Sequence, residues 1–196
     1  ASTIALFLYY FSVVDFEWMI NQIFEQMATQ QEMSAEELQA AQAFMTKTSM
    51  TWSTTLGGAM GLIVANLVMA VYFNLITKVS SPNELTFTTW FGFSWWTSMP
   101  AVVSWILAAL VIMFSSAGMV SLEDLSPTSL GFLADRSSPW FGLLSGISLF
   151  SLWSIALGTI GLSSWLVLTP KKAFIIAVSP TLAIYTCWAL YISFAG

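Results

Sequence analysis

Residues 49–77 read SMTWSTTLGGAMGLIVANLVMAVYFNLIT, a stretch without an acidic or basic side chain. An α-helix needs about 20 apolar residues to cross the hydrocarbon of a bilayer, so this stretch is long enough to span it. Three further uncharged stretches are also long enough: 85–115, 140–168 and 173–195. Only 8% of the residues are charged and the mean hydropathy is +0.79, whereas a soluble domain carries about 25% charged residues. The chain is therefore predicted to be an all-α integral membrane protein.

Residues 1–14 form a fifth apolar stretch. As a helix they would be about 21 Å long, shorter than the hydrocarbon core of about 30 Å. We therefore expect the first span to be truncated in this chain. The prediction is a single membrane domain, a five-transmembrane-helix bundle with spans at about 1–14, 49–77, 85–115, 140–168 and 173–195.

The segment 15–48 is the longest polar part of the chain and is acidic. Ser34 and Glu37 form an S-x-x-E capping box, which predicts that a second helix begins there after a first one. Five apolar side chains share one face of the first helix, namely Phe16, Ile20, Ile23, Phe24 and Met27. The two helices are expected to form an amphipathic hairpin on the membrane surface or over the end of the bundle. This apolar face either packs against the spans or contacts a partner.

Lysine and arginine near the span ends predict the orientation, because cytoplasmic loops carry an excess of these residues. The connections 78–84 and 169–172 carry three lysines, whereas the acidic segments carry only Lys47 and Arg136. The two short connections are therefore expected in the cytoplasm, together with the N-terminus, and the acidic segments outside. Four tryptophans lie near span ends, as in an aromatic belt: Trp52, Trp90, Trp140 and Trp165.

The composition argues against several classes of function. The chain contains no histidine, the commonest general acid–base residue and metal ligand. Cys187 is its only cysteine, so a thiolate cluster or an intrachain disulfide cannot form. No phosphate-binding loop, nucleophile elbow or metalloprotease motif occurs. We predict no catalytic, metal or cofactor site, and the net charge of −5 argues against a nucleic-acid partner.

Small residues recur at helical spacing in two spans, a pattern that lets helix backbones approach closely. The candidates for helix packing or oligomer contact are Gly57, Gly58, Gly61, Ala65, Gly142, Gly146, Ser151, Ser154, Gly158 and Gly161. They include two GxxxG motifs, at 57–61 and 142–146. Packing inside one bundle and contact between copies of the chain both agree with this pattern.

Two prolines and two asparagines are the other notable residues inside the spans. Pro100 and Pro180 are expected to kink their helices, since proline has no N–H to donate. The carbonyls that are freed in this way can bind ions or substrates, although they more often only shape the bundle. Asn66 and Asn74 are expected to form hydrogen bonds between helices.

The second half of the chain resembles a known family. Residues 96–100 read WTSMP and precede AVVSW, so a small residue comes shortly before a central proline. Residues 147–162 read ISLFSLWSIALGTIGL, and residues 171–174 read KKAF at the entrance to the last span. Over about residues 85–195 this pattern resembles the Yip family of five-span membrane proteins, in its bacterial branch.

The resemblance implies a five-span fold and a location in the bacterial cytoplasmic membrane. The family is named for interaction with Ypt/Rab GTPases, and its eukaryotic members act in vesicle traffic between the endoplasmic reticulum and the Golgi. Their D-L-Y-G-P and G-Y motifs do not occur here. Binding of a Rab-type GTPase is therefore not carried over.

Two functional hypotheses follow. The first is a non-enzymatic membrane adaptor or organiser that holds protein or lipid partners through its helices and the segment 15–48. The alternative is a small channel or permease whose polar path is lined by Asn66, Asn74 and the kinks at Pro100 and Pro180. The spans lack the buried ionisable residue that usually marks a transport path, which favours the first hypothesis.

Overall fold

The computed structural model describes residues 1–30, 44–115 and 118–195. Its helices are α1 (Ser2–Val13), α2 (Phe16–Gln30), α3 (Lys47–Ser80), α4 (Phe87–Thr97), α5 (Pro100–Phe114), α6 (Phe141–Gly146), α7 (Leu149–Trp165) and α8 (Pro170–Ala195). Two short 3₁₀ turns, Glu123–Leu125 and Leu130–Leu133, lie between α5 and α6. The described residues contain no strand, only an isolated antiparallel bridge between Ser129 and Ser148.

Long apolar helices identify the chain as an integral, multi-pass membrane protein. α3, α8 and the pair α4–α5, which covers Phe87–Phe114, are each long and apolar enough to cross a bilayer. α1 and the first part of α2 pass the same test as a bent pair, which gives three spans or, with that pair, four. The predicted all-α membrane fold is confirmed, whereas the total of five spans stays a prediction.

The chain bends by 99° between α1 and α2. Val14 is extended, and Asp15 Oδ1 accepts a hydrogen bond from the Trp18 N–H at 3.1 Å, as the N-cap of a new helix does. The Asp15 N–H donates to the Gly118 carbonyl at 3.1 Å. Gly118 has a φ of +72°, and a Cβ there would lie 2.5 Å from the Val13 carbonyl oxygen. Only glycine therefore fits beside this bend.

α2 corresponds to the first helix of the expected amphipathic hairpin. The expected second helix, with its Ser34–Glu37 capping box, lies outside the described residues.

The stretch 140–168 differs from the single continuous span predicted for it. α6 ends at Gly146, Ile147 is extended, and α7 begins after Ser148. Ser148 Oγ accepts from the Ser151 N–H at 3.2 Å, and Ser151 Oγ accepts from the Ser148 N–H at 2.9 Å. This reciprocal cap satisfies the backbone groups of a new helix start, and so the helix breaks without a proline.

The described connections gather at two ends of the bundle. At the lysine end, Lys172 Nζ donates to the Ser80 carbonyl at 2.6 Å, which joins the two short connections. At the acid end, which holds α2 and the connection between α5 and α6, Tyr10 Oη donates to the Val120 carbonyl at 2.8 Å. Each end has its own packed core.

The acid-end cluster consists of Leu6, Tyr10, Phe11, Val14, Met19, Ala108, Ile112, Val120 and Leu125. The lysine-end cluster consists of Ala70, Phe73, Trp90, Phe93, Leu162, Leu166, Ala173, Ile176 and Ala177. Trp90 is fully buried, with its ring centroid 5.5 Å from that of Phe93 and 6.1 Å from that of Trp165. The expectation that Trp90 belongs to an aromatic belt is therefore wrong, because neighbouring helices enclose it. The other three predicted belt tryptophans, Trp52, Trp140 and Trp165, are exposed.

Candidate functional site

A cavity of about 390 Å³, open on one side, lies between α3, α4, α5, α7 and α8. Phe73 and Ala177 of the lysine-end cluster border it, and so does Trp105, which packs against the acid-end cluster. Its polar lining consists of hydroxyl side chains: Ser94, Thr97, Ser98, Ser104, Ser148, Ser151, Ser154 and Thr181. None of the described residues that line the cavity is ionisable.

Both candidate kink positions border this cavity. Ser98 and Ala101 flank Pro100, and Ala177 and Thr181 lie three residues before and one after Pro180; all four line the cavity. At Pro100 the helix is divided into α4 and α5, whereas α8 continues through Pro180.

The carbonyl that Pro180 leaves without its helical donor is that of Ile176. It accepts a hydrogen bond from Tyr72 Oη at 2.9 Å and one from Ser179 Oγ at 3.3 Å. Tyr72 Oη also lies 2.6 Å from Ser179 Oγ. Sequence reasoning missed Tyr72, although a phenol inside a span must find a partner and a proline in another span supplies one.

The carbonyl that Pro100 leaves without its helical donor is that of Trp96. This carbonyl accepts a hydrogen bond from the Met99 N–H at 3.2 Å. The turn at Ser98 is tightened further, since Ser98 Oγ donates to the Ser94 carbonyl at 2.8 Å. Both carbonyls freed by the prolines are thus bonded within the protein. This weakens their proposed role as ligands for an ion.

Asn66 joins α3 to α4. It is 3% exposed. Its Oδ1 shares the hydrogen of Ser98 Oγ, 3.0 Å away, with the Ser94 carbonyl. Its carbonyl shares the hydrogen of Ser94 Oγ, 3.0 Å away, with the Phe91 carbonyl. Asn66 Nδ2 donates to the Leu62 carbonyl at 2.9 Å. Neither Asn66 nor Asn74 lines the cavity, and the buried Oδ1 of Asn74 meets no donor among the residues that the structure describes.

The small residues fall into two groups. Gly58, Gly142, Gly146, Gly158 and Gly161 contact Phe7, Trp188, Tyr185, Ala177 and Phe93, respectively, and Ser151 and Ser154 line the cavity. Gly57 and Gly61 have nothing within 4 Å of a Cβ built on them, and Ala65 is exposed. The two GxxxG motifs therefore lie in opposite environments.

The apolar face of α2 points largely toward the protein. Phe16, Ile20 and Ile23 pack against the acid-end cluster beside the buried Met19, and Phe24 and Met27 are half-buried. Part of the surface that the sequence predicts to contact a partner therefore packs against the rest of the chain. Asp15 and Glu17 remain exposed.

The acidic connection between α5 and α6 is held by an ion pair. Arg136 pairs with Asp124, whose Oδ2 accepts from both the N–H and the Oγ of Ser121. Hydrogen bonds from the N–H and Oγ of Ser137 lower the pKa of Asp135. No group of three or more acidic or cysteine side chains suited to a metal ion occurs among the described residues.

The family model of the Yip1 domain matches residues 1–191. The match extends through residues 1–84, which the resemblance seen in the sequence did not include. Neither a curated protein nor a solved structure matches the chain.

Proposed function

Because the chain belongs to the Yip1 domain family, we propose that this multi-pass membrane protein is a non-enzymatic organiser that holds a lipid or protein partner in the bilayer. The observation that carries the proposal is the uncharged cavity between the helices of the bundle. Hydroxyl and apolar side chains can bind and orient an amphiphilic molecule. Acid–base catalysis would require a titratable side chain placed against the reacting atoms.

Crosslinking in intact native membranes, followed by purification and mass spectrometry, tests the organiser function. We expect one lipid or protein species to remain attached in a fixed ratio to the chain. Recovery of only the chain linked to itself would contradict the proposal.

A protein partner would contact the exposed side of α2. Deletion of residues 16–46 should then abolish capture of the protein while the remaining helices still insert. Capture that persists after this deletion would remove α2 from the interface, and a shorter deletion of 31–43 serves as the matched control that retains α2.

A small permease remains the second candidate because of one specific observation. A void of about 280 Å³ at the acid end, bordered by Leu122 and Leu125, shares Ser104 and Trp105 with the main cavity. Trp105 lines both spaces, and we infer that a smaller side chain at this position would connect them. If the protein is a permease, Trp105→Ala should raise solute flux in proteoliposomes. Asn66→Leu should lower it, because it removes a hydrogen-bond acceptor of Ser98, which lines the cavity. No flux from either variant would remove this candidate.

We place the protein in the bacterial cytoplasmic membrane with the lysine end in the cytoplasm. The bond between Lys172 and Ser80 supports this orientation, since it brings both lysine-bearing connections to one end. An alkaline-phosphatase fusion after Ala195 should be active, because the C-terminus would then lie outside. An inactive fusion with normal protein levels would reverse the orientation.

A further inference from the structure

The hydroxyl groups that line the cavity divide into a bonded set and an unbonded set. Thr97 Oγ1 donates to the Ser94 carbonyl at 3.0 Å, and Ser151 Oγ donates to the Ser148 carbonyl at 2.7 Å. Ser94 and Ser98 also donate to carbonyl groups, and Ser148 accepts from the Ser151 N–H. Bonds of this kind to the local backbone are the usual way in which serine and threonine are satisfied within helices.

Ser104, Ser154 and Thr181 make up the unbonded set. They come from α5, α7 and α8, and all three line the same cavity. Their hydroxyls make no hydrogen bond to any part of the chain that the structure describes. All three side chains are half-buried, and they come together at one cavity from three helices. A ligand that enters this cavity would therefore find three hydroxyls free to donate to it or accept from it.

We propose that Ser104, Ser154 and Thr181 bind the uncharged, hydroxyl- or ester-bearing end of a neutral lipid. This proposal rests on the proposed function, since it names the lipid partner of the organiser. Each hydroxyl can donate one hydrogen bond and accept others, which matches the alcohol and ester groups of a glycerol unit. A phosphate or an ammonium group would enter the cavity without a counter-charge, which is strongly unfavourable.

The apolar part of the lining suits the beginning of a hydrocarbon chain. Phe73, Trp105, Phe150 and Ile155 surround the hydroxyls. The volume of about 390 Å³ lies at the lower end of the roughly 300–1,000 Å³ range of ligand pockets. It accommodates the polar end of a lipid and leaves most of its chains outside.

An outer groove provides a place for an acyl chain. A groove of about 450 Å³ runs along α7 and α8, and its lining is almost wholly apolar: Leu152, Ile155, Ala156, Thr159, Ile160, Phe174 and Val178. Ile155 lines both this groove and the cavity. The groove and the cavity therefore meet at one side chain, as a lipid with its polar end inside and its chain at the surface requires.

Photolabelling of the full chain in proteoliposomes tests the site. The probe is a diacylglycerol with a diazirine near the end of one acyl chain, and the labelled peptides are identified by mass spectrometry. We expect labels on residues of the outer groove, such as Ile160, Phe174 and Val178. Labels spread evenly over the lipid-facing surfaces of all spans would overturn the proposal.

Two threonine-to-valine variants form a matched pair, since both threonines line the cavity and valine conserves the shape of the side chain. Thr181→Val removes an unbonded hydroxyl and should lower labelling about three- to tenfold, as expected for one lost hydrogen bond. Thr97→Val removes a hydroxyl that is already bonded to Ser94 and should change labelling less than about twofold. Equal effects of the two variants at equal thermal stability would overturn the proposal.

Two competitors identify the source of the bound group. An excess of unlabelled diacylglycerol should suppress labelling, whereas phosphatidylglycerol with the same chains should not. Suppression by free glycerol, or by phosphatidylglycerol, would overturn the assignment to a neutral lipid. A loss of all specific labelling while a protein partner is still captured would remove this site and leave the organiser function; a loss of both would remove the proposed function as well.

Discussion

The glycines of α3 and those of α6 and α7 follow similar sequence patterns but differ in whether another helix packs against them. On α3, the glycines of the GxxxG motif, Gly57 and Gly61, have empty space beside them. On α7, Gly158 lies against Ala177 and Gly161 against the ring of Phe93. A pattern of small residues thus indicates that another helix could pack closely there. Whether one does depends on how the neighbouring helices are arranged.

Gly161→Leu is expected to have one of the two largest effects in this comparison. The new side chain would overlap the Phe93 ring, whose centroid is 5.3 Å from that of Phe73 and 5.0 Å from that of Trp165. Overpacking of this kind costs about 1–3 kcal/mol of unfolding free energy. Thermal unfolding in detergent measures the loss, and Phe93→Ala in the same chain should restore part of it. If the double variant is no more stable than Gly161→Leu alone, the contact with Phe93 is not the cause.

Gly118→Ala extends the comparison to a glycine outside the helices. The methyl group would approach the Val13 carbonyl at the bend between α1 and α2, and the backbone there has a positive φ. We expect a loss of about 1–3 kcal/mol. Gly92→Ala is the matched control, because nothing lies within 4 Å of its Cβ position. Equal unfolding temperatures for the two variants would contradict the strained geometry at Gly118.

Tyr72→Phe examines the inner side of α3. The variant removes the hydrogen bond to the Ile176 carbonyl, which then retains only the longer bond from Ser179. The expected loss is about 0.5–1.5 kcal/mol. Tyr191→Phe serves as the control, since Tyr191 is 70% exposed and lies on the same helix as Ile176. An equal response of both variants would show that the phenol of Tyr72 carries no structural bond.

The smallest expected effect on stability belongs to the double variant Gly57→Leu, Gly61→Leu. Both positions face open space, so unfolding should change by less than about 0.5 kcal/mol. We propose that this face contacts a second copy of the chain, and crosslinking between copies in membranes should then fall in the double variant. Unchanged crosslinking would assign these glycines no role in self-association.

The sequence predicts the class of fold because the class depends only on composition and length. Residues 49–77 are uncharged and long enough to span a bilayer in any arrangement of neighbours. The break at Ser148 escaped prediction because its cap uses Ser151, a pair that also suits the middle of a helix. The burial of Trp90 could not be predicted for another reason. It depends on the rings of Phe73 on α3 and Phe93 on the next turn of α4, which pack against the Trp90 ring.

The cavity shows the same limit. Hydroxyl residues are visible in the sequence, and Ser151 and Ser154 were singled out there as small residues. Which hydroxyls face a common space, and which are already bonded to the backbone, depends on the rotation of each helix. Ser104 and Thr181 give no local signal that separates them from Thr97.

The connection between α5 and α6 should tolerate an insertion at some positions and not at others, because part of it is bonded to the break between α6 and α7. The Leu130 N–H donates to the Ile147 carbonyl at 2.9 Å, and the Leu149 N–H donates to the Thr128 carbonyl at 3.3 Å. Residues 128–130 are thus bonded to the backbone at the break between α6 and α7. Ser129 in this segment is buried. Asp135 and Pro139 are exposed. An epitope tag or a protease site next to Pro139, beyond the ion pair of Arg136, should therefore be tolerated better than the same insertion at 128–130, which would pull apart the start of α7.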